Sequence, residues 1–244
     1  MPTHRKLHAE LAALYESVWG PLLEIRERRM REAQADVAWP MLVGPTEAYT
    51  QAEWRIVVIG RETAEWSGGT HKNPLPFRDI EDAMKTYALF LQTHYRGAWR
   101  RALVQLHEGF TPALPRLALL TTNLFRMDEN GGMPSAAFQA QLAASSEIRR
   151  LVERELAILR PHIAIFAAGV EGEQERLQQF PRGASEGRQS GYVERLHLPD
   201  VAPLVYRITH HPAWLARAAG RLNAVMNQLI QDIKTASPRP PQVN

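Results

Sequence analysis

The sequence predicts an α/β fold, a three-layer α/β/α sandwich around a central four-stranded parallel sheet with additional N-terminal helices. Two observations predict it. Four short apolar runs, Trp54 to Ile59, Leu117 to Thr122, Ile163 to Ala168 and Leu204 to Thr209, are each bounded by polar or turn residues. Helical periodicity or loop separates each run from the next. Continuous apolar runs of about six residues suit strands covered on both faces, and parallel strands need crossovers of the length found here.

The elements follow in order. Leu7, Leu11, Leu14, Tyr15 and Val18, then Leu22, Leu23 and Ile25, recur at helical spacing with Gly20-Pro21 between them, which reads as two helices or one kinked one. Residues 1–50 are expected as a helical extension and 51–235 as the main domain, with 36–52, which holds Pro40, Gly44 and Pro45, reading as the connector across that boundary. Crossovers are expected over Asp79 to Glu108 and Ser135 to Arg160, with a shorter helix near Glu171. A last helix runs from about Pro212, where the missing N–H is harmless, to Lys234. The proline-bearing tail 236–244 is expected to be disordered.

Composition bounds the rest. A chain of 244 residues suits one large domain, and 45% hydrophobic with 23% charged residues is ordinary for a globular protein. No apolar run approaches the roughly 18 residues of a membrane span, and the polar start Met1 to His8 lacks a secretory signal, so a cytoplasmic protein is expected. The absence of Cys excludes disulfides, thiolate nucleophiles and cysteine-held metals. Of 29 basic residues only Lys6, Lys72, Lys85 and Lys234 are lysines. This Arg excess fits flat bidentate phosphate donors and equally fits an Arg-rich codon composition.

In parallel sheets ligands collect beyond the carboxyl ends of the strands, so the residues after each run carry the functional reading. The first run leads into Gly60-Arg61-Glu62-Thr63-Ala64, the second ends in Thr121-Thr122-Asn123, and the fourth in Thr209-His210-His211-Pro212-Ala213-Trp214-Leu215. Singly, Gly60 reads as a turn and Asn123 as a cap. Their joint order resembles that of the uracil-DNA glycosylase superfamily, over roughly residues 54 to 230. Gly60-Arg61-Glu62-Thr63 resembles that family's first motif, Leu119 to Asn123 its Asn-bearing strand, Arg160 to Gly169 its third strand and turn, and Thr209 to Ala213 its last motif.

The resemblance implies excision of a deaminated or modified base flipped out of single- or double-stranded DNA, without metal or other cofactor. Breaking an N-glycosidic bond places positive charge on the sugar and negative charge on the departing base. Glu62 and His211 are the implied catalytic pair: the carboxylate stabilises the sugar cation and orients water, and the imidazole donates to the base. Gly60, Arg61, Thr63, Ala64, Phe77 and Asn123 are the implied substrate-binding residues. Asn123 offers a donor and an acceptor to the base edge, and Phe77 is either the ring under the base or a core aromatic. Pro212, Ala213, Trp214 and Leu215 are the implied DNA contacts, with Trp214 or Leu215 as the wedge. Glu62 stands where the family has Asp, Ala64 where its best-known members have Tyr, and Ala213 where they have Ser, so strict uracil selectivity is not implied. A non-catalytic nucleic-acid or nucleotide binder of the same fold is the other reading, with the N-terminal helices available to a protein partner. Adjacent His210-His211 and the absence of HExxH spacing argue against a metal site.

Overall fold

The computed structural model describes residues 3–61, 63, 77–92, 98–169, 172–181, 184–217 and 220–237, with backbone only at 92, 98, 184–190 and 213. The four apolar runs are strands: β1 Trp54–Gly60, β2 Leu117–Asn123, β3 Ile163–Phe166 and, last in the chain, β6 Leu204–Ile208. β1, β3 and β6 are parallel, with Ile56 opposite Ile163 and Ile163 opposite Leu204. The Gly60 and Arg61 carbonyls accept from the Leu124 and Phe125 N–H groups at 2.9 Å each. Both partners advance together along the chain, so β2 also runs parallel to β1.

The α/β sandwich class is the one observed, and the sheet is larger than expected. β4 Ala184–Ser190 and β5 Val193–His197 form a hairpin that extends it in the order β2-β1-β3-β6-β5-β4, with β5 antiparallel to β6. A search for apolar runs passes over this hairpin because Ala184–Ser190 is almost wholly polar. Its turn is nonetheless signalled by Ser190-Gly191, and Gly191 adopts the positive φ of 58° that a two-residue hairpin loop requires.

The chain divides into two compact units. The first comprises Met1–Thr46, Gly60–His94 and Thr122–Leu159. Its long helix α1, His4–Ala33, starts on a cap in which Thr3 Oγ1 accepts from the Lys6 N–H. α1 does not break at Gly20-Pro21. Both residues are exposed, and the buried stripe Leu14, Val18, Leu22 and Ile25 runs past them, so apolar burial offsets the one hydrogen bond that proline removes. α1 packs in this unit with α3 Ile80–Gln92, α5 Ala136–Ala144, α6 Ser146–Arg149 and α7 Leu151–Leu159. Gly44 is tied to this packing: a Cβ there would sit 2.2 Å from the Met84 carbonyl oxygen on α3.

The second unit comprises Glu47–Ile59, Tyr95–Thr121 and Arg160–Asn244. It adds α2 Glu47–Gln51, α4 Ala98–Phe110, α8 Glu173–Gln179, α9 Pro212–Arg217 and α10 Arg221–Ala236. Ile56 and Val58 of β1, Ile163 and Ile165 of β3, and Leu204 and Tyr206 of β6 share a core with Leu103, Leu106 and Phe110 of α4, Leu215 of α9, and Val225 and Leu229 of α10. The alternate residues Val57, Ile59, Ala164, Phe166 and Val205 are buried as well, as two-sided strands require. The single last helix expected from Pro212 is two, because Gly220, at φ 77°, turns the chain between them.

Candidate functional site

The strand order places the switch point of the parallel sheet between β1 and β3: the chain proceeds from β1 to β2 on one side and from β3 to β6 on the other. Pairing there continues past the end of β3, where the Ala167 N–H donates to the Ile59 carbonyl at 2.7 Å. Gly169 then turns with φ 72°, and a Cβ built on it would lie 3.3 Å from the His211 backbone nitrogen. Glycine therefore allows the turn after β3 to abut the turn after β6, which carries the two histidines.

Thr209 fixes the start of that turn. Its N–H donates to the Tyr192 carbonyl at 2.9 Å and its hydroxyl lies 3.1 Å from His210 Nδ1. The half-buried His210 ring stacks on Trp214, centroids 4.8 Å apart and planes within 23°, while Tyr192 meets His210 edge-on at 5.3 Å. The Arg221 guanidinium carbon lies 4.9 Å from the Trp214 ring centroid, and Trp214 remains 44% exposed. His211 lies against Trp99 of α4, with centroids 5.1 Å apart. The outcome is a partly solvent-facing group of rings and cations at the carboxyl edge of β6. It suits a flat, electron-rich or anionic ligand, with imidazole N–H groups at hand.

Among the expected DNA contacts, Trp214 is exposed, whereas Leu215 is fully buried in the core of the second unit, so the Leu215 wedge is corrected. The helical turn that begins at Pro212 points residue 215 inward, and burying that side chain contributes roughly 1.5–3 kcal/mol. Pro212 is buried at the first position of α9, and the Ala213 side chain lies outside the described residues. Glu62 and Ala64 also lie outside the described residues.

The other expected residues belong to the first unit and form one neighbourhood there. Gly60 and Arg61 bond through their carbonyls to Leu124 and Phe125, as above. Thr63 is buried and donates to Asp128 Oδ2 at 2.6 Å, and Asp128 in turn accepts from the Gly131 N–H through Oδ1 at 3.1 Å. Residues 38–41 join this loop through Ala38 N–H to the Asp128 carbonyl and Met41 N–H to the Arg126 carbonyl, at 3.1 and 2.8 Å. Asn123 is buried with Nδ2 3.5 Å from Met41 Sδ. Phe77 is buried edge-on against Trp39, centroids 5.7 Å apart; Trp39 also stacks on Trp19 and lies under the Arg26 guanidinium.

Beneath Asn123 the same unit encloses an ionic network that the sequence reading did not single out. Arg126 pairs with Glu155, whose side chain has no solvent exposure. Thr122 Oγ1 donates to Glu155 Oε2 at 3.0 Å and accepts from Arg126 Nη1 at 2.6 Å. Tyr15 of α1 donates to Glu155 Oε1 at 2.7 Å and accepts from the Val43 N–H at 3.0 Å. Burial, reinforced by the neighbouring Glu155 charge, raises the Tyr15 phenol well above its ordinary range, so it stays a donor. Trp99, Tyr192 and Arg221 are also not evident from the sequence: Trp99 comes from the distant α4 and Tyr192 from the hairpin turn, while Arg221 is brought back over Trp214 only by the turn at Gly220.

No protein-family model, curated protein or solved structure matches the chain. Among the described residues no helix is long and apolar enough to cross a membrane.

Proposed function

We propose that the chain is a DNA glycosylase-like protein that hydrolyses the N-glycosidic bond of a deaminated or modified base. The observation that carries this reading is the position of His211: it follows β6 at the carboxyl edge, its ring rests on Trp99, and the His210–Trp214 stack lies next to it. An imidazole held by an aromatic ring, beside surfaces that retain flat bases, is suited to donating to a leaving base as its negative charge grows. In this reading Glu62 stabilises the sugar cation and orients the water, and Asn123 reads the base edge. No cofactor enters this reading.

A second reading, binding of nucleic acid without excision, is favoured by the same ring stack, because stacking retains a base with no carboxylate involved. One panel separates the two. Oligonucleotides bearing uracil, hypoxanthine, xanthine or 5-substituted pyrimidines are incubated with the protein, and abasic sites are revealed with alkali. The glycosylase reading expects product from at least one substrate, with loss on Glu62→Gln and on His211→Ala of at least about a hundredfold each. Binding throughout the panel with no abasic product replaces it with the second reading.

A further inference from the structure

We infer that Tyr192, His210, Trp214 and Arg221 form a stacking platform for an unpaired base, so that the preferred partner of this edge is single-stranded nucleic acid. The inference goes beyond the proposed excision, since it concerns a strand carrying no damaged base and requires no bond to break.

A wedge that enters a duplex inserts between two stacked base steps and must present both faces of its side chain. Trp214 does not meet that demand: His210 already stacks on it at 4.8 Å and 23°. His210 is itself held by the edge of Tyr192 and by the Thr209 hydroxyl at 3.1 Å, so it is a fixed backing for the indole. The stack includes the exposed Arg221, whose guanidinium lies over the partly exposed Trp214 ring, 4.9 Å from its centroid. Indole and guanidinium are both planar groups on which bases stack, and the guanidinium also pairs with phosphate. A base whose own face is uncovered, as in an unpaired strand, continues this stack; a base inside a duplex has no face to offer.

Charge favours the same partner. No acidic residue occurs between Asp200 and Asp232, a stretch that holds Arg207, Arg217 and Arg221 with His210 and His211. Arg207 is engaged by Glu173 and Glu194, whereas the Arg221 guanidinium lies over the Trp214 ring. α9 has six residues, of which Leu215 is buried and Trp214 joins the stack. Stacking plus phosphate pairing, rather than groove reading, is what these residues supply.

The test uses the full chain and fluorescein-labelled oligothymidylate, alone or annealed to oligoadenylate, with binding followed by anisotropy at fixed salt. The single strand should bind at least tenfold more tightly than the duplex. Trp214→Ala should weaken single-strand binding about tenfold, with Trp214→Phe restoring most of it. The decisive comparison replaces the strand's bases with abasic linkers: wild type should lose affinity, and Trp214→Ala should lose little more, because ring and base act as a pair. Equal or tighter duplex binding, no measurable binding, or additive losses from the two deletions would overturn the platform. Excision activity with an unaffected Trp214→Ala variant would refute the platform and leave the glycosylase reading standing. Ring-dependent strand binding without excision would do the reverse.

Discussion

After β2, in the first unit, the chain reads Thr122-Asn123 and then Arg126; after β6, in the second, it reads Thr209-His210-His211 and then Trp214. Both strand ends carry a hydroxyl, hydrogen-bonding side chains and a basic residue within a few positions. In the first unit these groups are enclosed: Arg126 and Glu155 are 2% and 0% exposed, Thr122 and Tyr15 hydrogen-bond to that pair, and Tyr15 accepts in turn from the Val43 N–H. In the second, His210 and His211 are half-buried and Trp214 faces solvent. The enclosed end spends its polar groups on one another, and what it contributes is a fixed backbone course for residues 123–128. The open end leaves the Trp214 ring facing solvent. Residue type alone does not distinguish a brace from a binding surface; the partners do.

The largest expected effect comes from breaking the brace. Glu155→Ala leaves the Arg126 charge buried without its counter-ion and removes the acceptor for Thr122 and Tyr15. A loss of about 3–5 kcal/mol is expected, read as a fall in the urea midpoint. Arg126→Met should cost a comparable amount. The double variant Arg126→Met/Glu155→Ala should recover at least half of the summed single losses, because the remaining groups no longer include an unpaired ion. Purely additive losses would show that the two side chains do not act as a pair, and the contrast between the two strand ends would lose its physical basis.

The next effect separates two neighbours at the open end. Leu215→Ala removes a fully buried side chain from the core formed with α4 and α10 and should cost about 2–5 kcal/mol. Trp214→Ala, one residue earlier, should stay within about 0.5–1 kcal/mol, since the indole is 44% exposed and its contacts are to surface groups. Thermal melts of the two variants side by side check this. A large loss from Trp214→Ala would mean that the ring stack is structural, and that the second strand end is less open than its exposure implies.

These contrasts mark how far the sequence could be read. The four parallel strands were legible because burial on both faces leaves continuous apolar runs such as Ile56 to Ile59. The hairpin of β4 and β5 was not, since its first strand is polar and only Ser190-Gly191 announces a turn. At the exposed Gly20-Pro21 the sequence left two helices or one kinked one open, and the stripe of Val18, Leu22 and Ile25 that holds α1 together decides for one. At the site, His210, His211 and Trp214 follow from the rule about carboxyl ends of strands. Trp99, Tyr192 and Arg221 do not, because tertiary packing brings them there. Glu155 and Arg126 were illegible for a related reason: a charged residue in a helical or loop segment reads as solvated until its partner is seen.

The smallest effect tests whether the second unit also has an enclosed side. His162, just before β3, is buried, its Nδ1 accepts from the Arg55 N–H at 3.0 Å, and Trp54 meets its ring edge-on. Burial, with a lesser contribution from the Arg55 charge, pushes its pKa from 6.5 down to about 4. Because the folded value lies below the unfolded one, the unfolded chain binds more protons between them. The stability due to neutral His162 is therefore complete above about pH 6.5 and declines as pH falls toward about 4. The melting temperature should fall by on the order of a few degrees across that window from this group. His162→Asn offers the Arg55 N–H an amide oxygen in place of Nδ1 but cannot titrate, so its profile should be flatter than wild type over the same range. An unchanged slope would place the titration on groups other than His162. The buried imidazole before β3 would then not be the group that couples the second unit's stability to pH, and its enclosure would have no counterpart to the brace around Glu155.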